Sequence, residues 1–450
     1  MSDPTPNPDQ RALIESTEGL YRVDAGAGTG KTFAVTRRYA RIVEQDGVAP
    51  EDALLVTFTR NAAEEMRTRI VEHCEYGVAD LDDAPIGTFH SLCLDVLREH
   101  GHDAPRHLGL DGRITGSTRV VEDELVEGAL FREFLDRFTD DHPEHADRLR
   151  VVDDPDELRS LIAELAAKGV FPPTEGWYRD GERALVGDRD AFRALFDERN
   201  APRNGGSRQS RLRSALADYG DGRYHPDAPS TATVRGDGKR VPEEVADLAF
   251  EQDREGLFAF VHDLYHEYLS FALARDYLTF GLLQGLAYVL LCEDHAVRGS
   301  VAFEYVTVDE FQDSSEIQFR LALLLADAPN LCVVGDWRQS IYGFQYADID
   351  NVREFEARLD RFRRELNRDA DRIGWTAGDV GSVSLRRNYR STASILELST
   401  AALSAPATAR DDPDPVTAEP LVPDTDRDDS VVEAIRHEDE HEAVLSRSKR

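Results

Sequence analysis

Short apolar runs alternate along this chain with stretches of helical periodicity. Gln10–Ser16 reads as a short helix and Leu20–Asp24 as a strand; a Gly/Ala-rich turn follows, then a helix over Phe33–Val43. Ala53–Phe58 is an apolar run suited to a buried parallel strand, and Asn61–Glu75 after it is amphipathic. Ile86 closes another short strand before a helix that runs through Arg98. Further on, Tyr305–Val308 and Leu331–Val334 read as strands with a helix over Glu316–Asp327 between them. Val352–Leu366 predicts a helix, Arg368–Gly381 a polar loop, Val383–Leu385 a short strand, and the next residues a helix to about Leu403. This alternation predicts an α/β fold built on a parallel sheet.

The pattern changes from about Gly112 to Ser270, where helical periodicity dominates: Val120–Phe138, Pro155–Lys168, Arg189–Glu198 and Glu243–Phe271. Asn200–Val241 is rich in Gly, Pro, Ser, Asp and Arg and reads as a long loop. Residues 1–111 and 272–383 therefore read as one α/β domain, interrupted by an α-helical domain over 112–271. Residues 384–450 read as the start of a further domain, with a linker over Ala405–Asp429, a strand over Ser430–Ile435 and a helix over Glu438–Arg447.

Composition narrows the class. A chain of 450 residues at 41% hydrophobic content is globular rather than disordered. No apolar run is long enough to cross a bilayer; Leu282–Cys292 is too short and is interrupted by Gln284 and Gly285. No signal peptide is evident. Four scattered cysteines argue against a disulfide framework, a zinc site or an iron–sulfur cluster, and fit a reducing cytoplasm. The net charge of −34 could repel nucleic acid or mark a surface adapted to concentrated salt. Lysine is confined to Lys31, Lys168, Lys239 and Lys449 while aspartate is spread throughout, which favours salt adaptation. Arg203, Arg208, Arg211 and Arg213 form a local basic cluster that fits either a phosphate contact or a solvated face.

The chemistry centres on Ala25-Gly26-Ala27-Gly28-Thr29-Gly30-Lys31-Thr32, between the first strand and its helix. Such a turn gathers backbone N–H groups at a helix N-terminus, where they cradle phosphate. Lys31 would reach the β- and γ-phosphates and Thr32 would ligate Mg²⁺, though Ala25 stands where the strict pattern has glycine. Asp309, at the end of an apolar strand, suits a second Mg²⁺ anchor; Glu310 beside it could polarise an attacking water. Gln339 at the next strand end could contact the γ-phosphate, and the Gln10 amide could pair with an adenine edge. The strand ends Thr57-Phe58-Thr59-Arg60 and Thr88-Phe89-His90 suit a single-stranded nucleic acid path; the competing reading makes Phe58 and Phe89 core residues. His437-Glu438-Asp439-Glu440-His441 matches a zinc pattern but sits in an acidic segment with no third ligand evident, and zinc is rejected there.

Five blocks occur in the order seen in the superfamily I DNA helicases of the UvrD/Rep/PcrA type, which this chain resembles: Ala25–Thr32, Thr57–Ile70, Gly87–Cys93, Val308–Ser314 and Val334–Phe344, with Asn388–Thr392 as a sixth. The resemblance implies a RecA-like phosphate-loop domain carrying an inserted helical domain, and the start of a second RecA-like domain. It implies ATP and Mg²⁺ as cofactors, single-stranded or duplex DNA as partner, and 3′ to 5′ movement coupled to ATP hydrolysis. It implies that Gln10 recognises adenine and Tyr389 stacks on it, and that Glu310 is the catalytic base. Gln339 would sense the γ-phosphate, and Arg390 would be an arginine finger reaching across a cleft. Thr57, Phe58, Arg60, Phe89, His90, Tyr342 and Phe344 would line the DNA path. The chain departs from the family at Gln345-Tyr346-Ala347, where Arg-Gly-Ala is common, and at Phe33, where some members have arginine. The family's later blocks do not follow, so the chain reads as the ATP-binding front half of a helicase: a fragment, a truncated gene product, or one piece of a split protein whose remaining motor is a separate chain. An ATP-binding regulatory or assembly subunit is the alternative, and the helicase part of a recombination nuclease complex a third reading.

Overall fold

The computed structural model describes residues 4–74, 77, 81, 84–145, 149, 155–178, 243–339, 346–403 and 421–424, with backbone only over 243–257 and 402–403. The elements expected at 189–198, 430–435 and 438–447, the loop 200–241 with its arginines, and His437–His441 lie outside the described residues.

Six strands form the central sheet: β1 (Leu20–Ala25), β2 (Ala53–Val56), β3 (Ile86–Gly87), β6 (Tyr305–Val308), β7 (Leu331–Gly335) and β8 (Val380–Leu385). Their order is β3-β2-β6-β7-β1-β8, and every pairing is parallel. The outcome is the α/β class that the alternation predicts. Parallel strands need crossovers and are covered on both faces. Alternate side chains show this directly. Leu54, Val56, Val306, Val308 and Val333 enter one core, while Ala53, Leu55, Tyr305, Cys332 and Val334 enter the other.

The second face is covered by α1 (Pro8–Glu15), α2 (Lys31–Glu44) and α3 (Arg60–Val71), through Leu13, Val35, Tyr39, Met66 and Ile70. The first face carries α4 (Phe89–His100), and it merges with the inserted helices α5 (Glu124–Asp141), α6 (Pro155–Ala167) and α7 (Glu243–Ala274). Then come α8 (Phe280–Glu293), α9 (His295–Ser300), α10 (Glu316–Leu325), α11 (Asp350–Arg353), α12 (Phe355–Leu366) and α13 (Ala393–Leu403). The apolar run Leu282–Cys292 is α8: every residue of it is buried, which explains why it is hydrophobic all round. Among the described residues no helix is long and apolar enough to cross a membrane.

Residues 121–276 leave and return at a pair of short strands. Strands β4 (Arg119–Val120) and β5 (Tyr277–Leu278) pair in parallel, and the Asp276 carboxylate accepts from Ser117 Oγ and Thr118 Oγ1, each at 2.6 Å.

Two expectations need correction. The strand expected over Val383–Leu385 begins at Val380, inside the predicted loop, and runs through residue 383, the expected domain limit; it is an edge strand, half-buried for most of its length, so its apolar pattern is weak. The helix expected over Val352–Leu366 is two helices, because Glu354 (φ −109°, ψ 30°) leaves helical geometry between α11 and α12.

Candidate nucleotide and nucleic-acid site

In an open parallel sheet, ligands bind beyond the carboxyl ends of the strands. Here β1 delivers the loop Ala25–Gly30, β6 delivers Asp309 and Glu310, β7 delivers Asp336 to Gln339, and β2 and β3 deliver Thr57–Arg60 and Thr88–His90. All the described candidate blocks except Asn388–Thr392 are strand exits of this kind, and that last block follows β8.

The loop is shaped by glycine where glycine is needed. Gly28 and Gly30 have φ of +75° and +78°, and a Cβ on either would meet another side chain at 2.6 Å: Arg390 Cβ at Gly28, Gln10 Nε2 at Gly30. Thr29 closes the turn, its Oγ1 donating to Gly26 O at 2.8 Å. Gly30 then caps α2, which begins at Lys31. Gln10 braces the loop from α1. Its Nε2 donates to Thr29 O at 2.9 Å, and its Oε1 accepts from Asn7 N at 3.1 Å in a capping box. Asn7 Nδ2 in turn donates to Tyr389 Oη at 2.7 Å, so the two residues expected at an adenine are brought to one place through Asn7. The Gln10 amide is buried and bonded at both ends, a bracing role that the sequence reading did not contain.

Lys31 faces both acidic residues at the end of β6. Its Nζ lies 3.6 Å from Asp309 Oδ1 and forms an ion pair with Glu310. Burial alone would lower the Lys31 pKa, but the two carboxylates outweigh it and the net shift is upward. Burial pushes Asp309 up to about 6, the neighbouring Glu310 charge adds to this, and Lys31 opposes it. Asp309 Oδ1 is buried with no hydrogen-bond partner, so this oxygen suits a cation ligand. Glu310 adopts a left-handed backbone, φ +52° and ψ +40°, an uncommon conformation for a residue with a Cβ.

A polar relay then leads from Glu310 to β7. Gln312 Nε2 donates to Glu310 Oε2 at 2.7 Å, and Gln312 Oε1 accepts from Asp336 N at 2.9 Å. Gln339 Nε2 donates to Asp336 Oδ2 at 2.8 Å. Arg338 makes a two-pronged bond to Asp24 on β1, at 2.9 and 3.3 Å, and a third bond to Asp336 at 3.1 Å. Gln312, Arg338, Asp24 and Asp336 were not found by sequence reasoning. Asp24 and Arg338 are far apart in the chain, and no local spacing signals their meeting.

The Asn388–Thr392 block, which carries Arg390, rests on the loop itself. Asn388 Nδ2 donates to Ala27 O at 2.5 Å, and Tyr389 N donates to Gly28 O at 2.8 Å. Asn388 Oδ1 accepts from Arg390 N and Ser391 N at 2.9 and 2.7 Å. The block is seated there by β9 (Arg387–Asn388) pairing with β10 (Val422–Pro423). The Arg390 residue itself is exposed.

On the nucleic-acid side, Leu55 pairs with Ile86 and Val56 with Gly87, so the exits of β2 and β3 lie side by side. Thr59 and Thr88 cap the following helices. Thr57 is buried, Phe58 half-buried, and the exposed Arg60 is paired with Glu122 at 2.6 Å. His90 packs on Phe280 with ring centroids 4.2 Å apart; burial and the nearby Arg60 charge hold its pKa down to about 4, so it is neutral at pH 7. Phe89 is corrected to a core residue: it begins α4 facing inward, is 5% exposed, and has no ring face free for a base. Tyr342 and Phe344 lie outside the described residues.

Residues 6–360 match the model of the UvrD/REP helicase N-terminal domain. The chain belongs to this family. It is 26% identical over 397 residues to the ATP-dependent DNA helicase PcrA of Staphylococcus aureus, covering 87% of this chain and 38% of that protein. It is 25% identical over 396 residues to the "Probable DNA helicase II homolog" of Mycoplasma capricolum, covering 87% of this chain and 40% of the relative. A protein of the same name from Rickettsia conorii is 27% identical over 398 residues, covering 87% and 44%. The chain thus spans about two-fifths of the length of the curated relatives it matches. Membership identifies the α/β sheet as a RecA-like phosphate-loop domain.

Proposed function

We propose that this chain is the ATP-binding part of an ATP-dependent DNA helicase that moves 3′ to 5′ along one strand. The observation that carries the proposal is the meeting of Lys31, Asp309 and Glu310 beside a loop opened by two left-handed glycines. The name of the PcrA relative supports ATP and DNA as ligands. Asp309 Oδ1, buried 3.6 Å from Lys31 Nζ, and the Thr32 position on the first turn of α2 fit Mg²⁺, which when bound would neutralise phosphate charge. In this reading the N–H groups of Ala25 to Thr32 hold phosphate oxygens and Lys31 neutralises them. Glu310 accepts the proton of the attacking water; Gln339 and Arg390 approach the γ-phosphate. Tyr389 stacks on adenine, and Gln10 would read its edge only by exchanging its bonds to Thr29 O and Asn7 N for the base. Phe58, Arg60 and His90 contact single-stranded DNA beside the buried Thr57, with Arg60 supplying the charge that His90 lacks at neutral pH.

Steady-state ATPase assays with Mg²⁺, with and without single-stranded DNA, test this reading. DNA should stimulate turnover, and Glu310→Gln should reduce turnover by about 10²- to 10⁴-fold while nucleotide binding persists. Undiminished turnover in Glu310→Gln, or a rate indifferent to DNA, refutes it.

A further inference from the structure

The insert carries a second chemical constellation that the nucleotide site leaves unused. After α5 the chain reads His142-Pro143-Glu144-His145. His142 Nδ1 lies 2.7 Å from Glu144 Oε1, and its Nε2 lies 2.5 Å from Glu267 Oε1 on α7. His145 Nε2 lies 3.0 Å from Asp263 Oδ2, one helical turn before Glu267 on α7. One ligand atom each from His142, Glu144 and His145 fall within 4.8 Å of one another. Phe138 orients both rings, with centroids 4.6 Å from His142 and 5.9 Å from His145.

The decisive atom is His145 Nδ1. His145 is 4% exposed, and this nitrogen is buried with no hydrogen-bond partner. With Nε2 engaged by Asp263, a neutral ring keeps its proton there and presents a bare lone pair at Nδ1. A doubly protonated ring would instead bury an unpaired N–H. Either protonation state leaves Nδ1 unsatisfied, and a metal cation satisfies it. The far nitrogen of each ring faces a carboxylate, which is how metal-ligating histidines are held in tautomer and orientation.

We propose that His142, Glu144 and His145 bind a divalent transition-metal cation of the zinc class, with Glu267 and Asp263 as positioning residues. Two imidazole nitrogens with one carboxylate suit zinc, cobalt or nickel rather than Mg²⁺, which prefers an all-oxygen shell. Tetrahedral ligand atoms at zinc lie about 3.3 Å apart, so the His142–Glu144 contact of 2.7 Å would open slightly as the cation enters between the three side chains, leaving the fourth position to water. The bound cation would fasten the end of α5 to α7.

The test uses the full chain, stripped with a chelator and titrated with Co²⁺ and then Zn²⁺ in excess Mg²⁺. The expected result is one Co²⁺ per chain, with visible absorption of a tetrahedral nitrogen/oxygen site, displaced by Zn²⁺. Glu144 is exposed, so Glu144→Gln should leave the fold intact and weaken Co²⁺ binding by at least about 10-fold; Glu267→Gln should weaken it by about 10- to 100-fold. Unchanged affinity in Glu144→Gln and His142→Asn, a thiolate-to-cobalt band, or no Co²⁺ binding by the wild-type chain overturns the proposal.

Discussion

Asn388 offers the sharpest test of how the nucleotide loop is held, because one buried side chain makes three bonds around it. Its Nδ2 donates to Ala27 O, and its Oδ1 accepts from Arg390 N and Ser391 N. Asn388→Ala removes all three. A hydrogen bond contributes about 0.5–1.5 kcal/mol net, and a buried group left unpaired costs about 1–3 kcal/mol. Asn388 is 1% exposed, but Arg390 is exposed and water can reach its amide. The loss should therefore be about 2–3 kcal/mol, concentrated in the contact between this block and the loop. Hydrogen exchange reads that contact directly through the Tyr389 amide, which donates to Gly28 O. Since about 1.4 kcal/mol is tenfold, its protection should fall by roughly 30- to 100-fold. Asn388→Asp keeps the two acceptor bonds but sets a carboxylate against the Ala27 carbonyl, so Tyr389 should again lose protection while Ser391 keeps it. Unchanged protection of Tyr389 in both variants would show that the block does not rest on the loop in solution.

Arg320 is paired with Glu316 at 3.0 Å and Glu365 at 2.6 Å and lies 4.2 Å over the Phe362 ring, so Arg320→Ala should cost about 3–5 kcal/mol in urea denaturation; a loss under 1 kcal/mol would contradict its burial as a paired charge. The folded His90 pKa of about 4 lies below the usual 6.5, so its contribution to stability is present above pH 6.5 and is lost as pH falls from 6.5 towards 4. The wild type should lose up to roughly 3 kcal/mol more than His90→Gln across that window, and parallel stability profiles would refute this. The net charge of −34, with lysine nearly absent, is read as salt adaptation, so the melting temperature should rise from dilute to molar KCl; a protein most stable at low salt refutes that reading.

The sheet was legible in the sequence because parallel, doubly covered strands are apolar on both faces, and Ala53–Val56, Tyr305–Val308 and Leu331–Gly335 carry that signal. Val380–Leu385 was only partly legible, because an edge strand needs fewer apolar residues and here holds Gly381 and Ser382. The phosphate loop and the acidic pair at residues 309–310 were legible because local spacing fixes their chemistry. What joins them was not. The bond from Gln10 to Thr29, the Asp24–Arg338 pair and the seat of Asn388 on Ala27 bring together residues from separate elements, and their positions follow from packing alone. Phe89 shows the converse: a motif position whose neighbours face the site, yet whose own ring is turned into the core by the start of α4.

The Lys31–Glu310 ion pair constrains the proposed chemistry. The ammonium group that would neutralise phosphate oxygens in the proposed function is held here by the Glu310 carboxylate. In the proposed function, phosphate oxygens beside the same loop would compete with Glu310 for this ammonium group. Glu310 would then lose its cation and keep only its bond from Gln312 Nε2, which also donates to Asp313 Oδ2 at 3.1 Å. Gln312 also holds Asp336 N, so the same exchange bears on the β7 exit that presents Gln339. The left-handed backbone of Glu310 fits this arrangement: it turns the side chain away from the strand axis towards Lys31, at a conformational cost of about 1–3 kcal/mol that only the surrounding packing sustains.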